Sequence, residues 1–182
     1  MKHSSAFMQA LCLATLMIMA CGGRLPVKNR CNLNIILKDT TNLINKTNDF
    51  IQSFPQDKNK SVRLLTEALE NDFKENCSTR NQLLSFYAED VLSAGKILAE
   101  AKKSGIDHDF LKIQDLLQFC TPGKCEATEV TRNMKELREK FDGNKVAKGM
   151  KRLNKAVSEF RSLLFWIHNF AIHELKKTKG RK

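Results

Sequence analysis

Acidic residues are missing where this chain is most basic: Lys145 to Lys155 contains none, and none follows Glu174. A merely solvated helix face mixes both signs, so this one-sidedness counts against that reading. No second apolar stretch of about 18 residues follows the N-terminal one, which excludes a later membrane span and leads us to expect a soluble mature chain. Glycine-rich loops that cradle phosphate are absent, as is a glycine-flanked serine nucleophile. Convincing apolar–polar alternation is also lacking, which excludes a sheet-based fold. No internal repeat or low-complexity linker divides the chain.

What is present is charge, unevenly placed. Residues 132–182 hold fifteen Lys and Arg against five Asp and Glu, whereas residues 24–131 hold fifteen of each. A neutral body with a cationic C-terminal third predicts affinity for polyanions such as heparan sulfate, nucleic acid or anionic membrane. Lys145, Lys148, Lys151, Arg152 and Lys155 are candidate contacts, with Lys176, Lys177, Lys179, Arg181 and Lys182 of a frayed basic tail over 176–182. Such binding would be salt-sensitive and driven by counterion release. Aromatic rings do not interleave with these lysines, which argues against dedicated single-strand recognition.

Residues 1–23 read as a secretory signal peptide. A basic Met1-Lys2-His3 start precedes an apolar run from Phe7 to Ala20 and small residues at the cut site. Residues 24–182 are then one exported domain. Four cysteines remain in it, Cys31, Cys77, Cys120 and Cys125, and an even count behind a signal peptide predicts two disulfides with three possible pairings. Asn45, Asn59 and Asn76 each head a glycosylation sequon.

Periodicity is helical throughout, so the fold class is all-α, with six helices. The first carries Leu33, Leu37, Thr40, Ile44, Thr47, Ile51 and Phe54, widened by Ile36, Leu43 and Phe50, and should stop at Pro55. A short second helix turns Val62, Leu65, Leu69 and Phe73 inward. The third runs unbroken from Arg80 to Lys102 with Leu83, Tyr87, Val91, Ala94 and Leu98 on one face, and Ser104-Gly105 ends it. Asp107 caps a fourth helix bearing Phe110, Ile113, Leu117 and Cys120. The fifth spans 126–141 with Val130, Met134, Leu137 and Phe141. The sixth keeps the four-three rhythm from Val146 to Leu175, with the lysines of its first turns facing solvent. Phe165 and Trp166 lie off that stripe, so they are candidates either for burial in a central helix or for a dimer contact.

Catalysis is not expected. His168 and His173 lie about 500° apart around a helix and share no face. Asp107-His108-Asp109 sits where a cap belongs. Cys120 and Cys125 lack the two-residue spacing of a zinc knuckle. We expect no metal and no cofactor.

Asn76-Cys77, then Gln82-Leu83-Leu84-Ser85-Phe86 and Glu89-Asp90-Val91, resemble the third-helix signature of the interleukin-10 family of helical cytokines. Lys155-Ala156-Val157-Ser158-Glu159, Leu163-Leu164 and Trp166-Ile167 are similar to that family's last helix. The resemblance implies a six-helix class II cytokine bundle with Cys31 paired to Cys120 and Cys77 to Cys125. It implies a ligand that joins two class II receptor chains, interleukin-20 receptor alpha-like and interleukin-10 receptor beta-like, to activate JAK/STAT signalling. It also narrows the polyanion partners to heparan sulfate, extracellular DNA and anionic bacterial membrane. Relatives that exchange their last two helices make a homodimer a further expectation. The alternative is a cationic antimicrobial or DNA-binding host-defence protein acting without a receptor.

Overall fold

The computed structural model describes residues 31–55, 63–120, 125, 130–142 and 149–180. The signal segment, Val62, residues 126–129 and Val146 therefore lie outside the described residues. Seven α-helices and one π-helical segment are present among them, and no strand: α1 (Leu33–Gln52), α2 (Glu67–Glu75), α3 (Cys77–Ser85), π (Phe86–Val91), α4 (Gly95–Ser104), α5 (Ile106–Gln118), α6 (Arg132–Asp142) and α7 (Gly149–Lys179).

Local polar chemistry starts three of these helices. The Asn32 side chain accepts from the Ile35 amide at 3.1 Å, and Thr66 accepts from Leu69 at 3.3 Å. Asn76 Oδ1 takes the amides of Ser78 and Thr79 at 2.8 and 3.2 Å, satisfying donors that an α-helix leaves open. Gly105, at φ 69°, separates α4 from α5 in a left-handed turn that a side chain would strain. It also occupies the cap position of α5. Asp107 is therefore inside the first turn rather than its cap, where its charge favours the helix dipole instead.

The expected third helix is not continuous. The Leu92 amide donates to the Tyr87 carbonyl at 2.8 Å, five residues back, and a turn over 92–94 leads into Gly95 at φ 35°. This widened turn lets the adjacent pairs Phe86-Tyr87 and Val91-Leu92 all bury, which neighbours 100° apart on a regular helix do poorly. The break also resets the phase: Ile97 and Ala101 are fully buried after it, while Leu98 is only half-buried.

One hydrophobic core runs through every element. Along α1 its centre line is Leu33, Ile36, Thr40, Leu43, Thr47 and Phe50. Thr40 and Thr47 are tolerated there because their hydroxyls donate to the carbonyls of Ile36 and Leu43, each at 2.6 Å. α1 packs most extensively on α7, then on α5. At their meeting point the Phe160 ring lies 5.2 Å from Phe110, 5.6 Å from Tyr87 and 6.4 Å from Phe50. Burial first, and then the Glu159 carboxylate, raise the Tyr87 phenol well above its ordinary pKa. Its hydroxyl thus remains a donor to the Ala156 carbonyl at 3.3 Å.

Two disulfides close the end of the bundle. Cys31, just before α1, is bonded to Cys120 after α5, and Cys77, the first residue of α3, to Cys125 in the α5–α6 connection.

Candidate functional site

The last helix carries six of the ten sequence-predicted cationic residues, Lys151, Arg152, Lys155, Lys176, Lys177 and Lys179, and its geometry divides them. At its start, Lys151 is exposed. Arg152 is half-buried and its Nη1 donates to the Phe141 carbonyl at 2.6 Å, tying α7 to the end of α6. Lys155, expected on the solvent side, has a side chain only 12% exposed, with Nζ 3.4 Å from Glu159. Helical phase places a residue on a face, but the contacts made on that face decide whether it meets water. For Arg152 the contact is the end of α6; for Lys155 it is Glu159, whose Oε2 also accepts the amides of Leu64 at 3.0 Å and Leu65 at 2.8 Å.

At the other end the charges are open. Lys176, Lys177 and Lys179 are exposed and helical, so the tail expected to fray instead completes α7 as far as Lys179. Lys177 pairs with Glu174 at 2.8 Å. Cations in a last turn also offset the C-terminal end of the helix dipole, worth about 0.3–1 kcal/mol each. From Lys151 to Lys176 the helix rises by about 37 Å at ~1.5 Å per residue, so the two groups are separate surfaces. Lys145, Lys148, Arg181 and Lys182 lie outside the described residues.

Phe165 and Trp166 part company. Trp166 is 7% exposed and packs 6.1 Å from the Phe73 ring. Phe165 is 43% exposed, with the Arg161 guanidinium 5.5 Å from its ring centre. Arg161 Nη1 also donates to Asn48 Oδ1 on α1 at 2.6 Å. An exposed Asn48–Arg161–Phe165 trio therefore bridges the two most closely packed helices. The four-residue spacing of Arg161 and Phe165 was readable from sequence, but the contact with Asn48 was not.

Of the sequons, Asn45 is exposed on α1 and Asn59 lies outside the described residues. Asn76 has its side-chain oxygen committed to the α3 cap and its sequon hydroxyl residue, Ser78, buried. His168 is half-buried and His173 exposed. Among the described residues no group of three metal-ligating side chains occurs, and no helix is long and apolar enough to cross a membrane.

Over 118 residues the chain is 34% identical to interleukin-26 of Homo sapiens, an alignment covering 63% of this chain and 64% of that protein. The match thus spans less than two thirds of the relative's length. No protein-family model matches the chain, and no solved structure matches it.

Proposed function

We propose that this interleukin-26-like helical cytokine, similar to the interleukin-10 family, is secreted and acts by joining two class II receptor chains. The observation that carries the reading is the identity to interleukin-26, held by a chain whose described residues form only helices around one disulfide-tied core. On this view the seven described helices correspond to a six-helix family bundle, α3 and α4 being one helix interrupted at the π segment. The pair would be an interleukin-20 receptor alpha-like and an interleukin-10 receptor beta-like chain, whose bound kinases then phosphorylate STAT factors.

A bridging ligand needs a rigid body with separate adhesive faces rather than a reactive cleft. The α1–α7 face supplies one, because Arg and aromatic side chains dominate many interfaces and Arg161 and Phe165 stand exposed there beside Asn48. The exposed lysines at 176, 177 and 179 support binding of heparan sulfate or DNA as a second role. They also favour the competing reading, a cationic host-defence protein that needs no receptor. STAT phosphorylation in cells carrying both receptor chains, or lacking either one, separates the two. The proposal predicts a signal only with both chains present. A response that survives deletion of both would overturn it.

A further inference from the structure

α1 turns Thr40, Leu43, Thr47 and Phe50 toward the core, and the opposite side of the helix faces water. Asn45 lies about 200° round the helix from Leu43 and is exposed. Nothing holds its side chain among the described residues. A polar groove of about 370 Å3 runs beside it, between α1 and α5. Ion pairs join the two walls, Lys46 to Asp109 at 2.7 Å and Lys112 to Asp39 at 3.0 Å. With these charges matched, a neutral and hydrated group attached at the groove's edge displaces none of them.

Asn45 heads the sequon Asn45-Lys46-Thr47, in which Thr47 supplies the required hydroxyl. In the folded protein that hydroxyl is out of reach. Thr47 is fully buried, and its Oγ1 donates to the Leu43 carbonyl at 2.6 Å. Modification must therefore precede folding, and the order of synthesis permits it. α1 packs most extensively on α7, which begins only at Gly149, so the helix emerges with its main partner not yet made. Twenty residues that include three threonines form at best a marginal helix alone.

Asn76 differs in what surrounds the side chain. It is half-buried at the joint between α2 and α3, where its Oδ1 holds the amides of Ser78 and Thr79. The next residue, Cys77, is bonded to Cys125, and the two after it are buried. A bulky sugar on that amide would crowd a joint that the native fold closes.

We infer that Asn45 carries an N-linked oligosaccharide and that Asn76 does not. The anomeric carbon of a lipid-diphosphate-linked oligosaccharide bonds to Asn45 Nδ2. The amide gives up one proton, and the lipid diphosphate leaves with the electron pair of the broken bond. The sugar then projects from the outer side of α1 beside the α1–α5 groove. This inference rests on the secretion reading, because the sugar donor is met on the export route.

The test uses the full chain secreted from cultured animal cells. Peptide N-glycosidase in heavy-oxygen water turns each glycosylated Asn into a labelled Asp, and peptide masses locate the label. Label is expected at Asn45 and not at Asn76. Asn45→Gln should lose the mass of one glycan. Thr47→Val, which keeps the buried shape and removes the hydroxyl, should lose it too although Asn45 remains. Export behind another secreted protein's signal peptide repeats the measurement if the native N-terminus does not direct secretion, so the secretion reading and the glycan fail separately. A secreted chain with Asn45 unlabelled, or with Asn76 labelled, overturns the inference.

Discussion

Replacing Cys31 and Cys120 together by serine should lower the unfolding free energy by about 4–5 kcal/mol, read from urea denaturation followed by helical circular dichroism. The bond spans 89 residues, so breaking it releases a long loop in the unfolded chain. The Cys77–Cys125 bond spans 48, and its removal should cost almost as much, because closure entropy grows only with the logarithm of length. The difference between the two should be about half a kcal/mol in the chain-entropy model. Cys31 fastens the entry of α1 to the exit of α5, so its loss also frees one end of the α1–α5 contact. A loss below about 1 kcal/mol would show that the unfolded chain keeps these segments together without the bond.

Phe160→Ala and Phe165→Ala should differ sharply although five residues apart on one helix. Phe160 is fully buried and its ring joins α1, the π segment, α5 and α7. Truncation removes a large apolar surface and leaves a cavity among three other rings, a change that typically costs about 3–5 kcal/mol. Phe165, exposed beside Arg161, should shift stability by no more than about 0.5 kcal/mol. The same denaturation experiment measures both. Equal losses would mean that Phe165 is covered in the free protein, by a second copy or otherwise, and its exposed face would be lost as a receptor contact.

The helices themselves were legible because burial follows the apolar rhythm. Leu83, Tyr87 and Val91 are buried as that rhythm requires, as are Val157, Phe160, Leu164 and Ile167. The break after Ser85 was not legible. Phe86-Tyr87 and Val91-Leu92 look like stripe residues with apolar neighbours, and only packing shows that one extra residue per turn buries both members of each pair. The disulfide pairing was likewise beyond the residues alone, which leave three arrangements; the bonds seen are those implied by the family resemblance.

At the functional surface the limit was long-range contact. Lys155 and Arg152 belong to a cationic run in sequence, but Glu159 and the Phe141 carbonyl, each fixed by the tertiary fold, draw them inward. Glu159 attracted notice only as part of a family motif, yet it holds the amides of Leu64 and Leu65 from 95 and 94 residues away.

The most direct test of the central claim is the mass of the assembly in solution. The oxidised protein would be mixed with the soluble ectodomains of the two receptor chains and sized by light scattering on a gel-filtration column. The account predicts one species containing the ligand and both ectodomains, weakened when Arg161 and Phe165 are changed to alanine. Three separate peaks at micromolar concentrations, with neither ectodomain retained by the ligand, would contradict it.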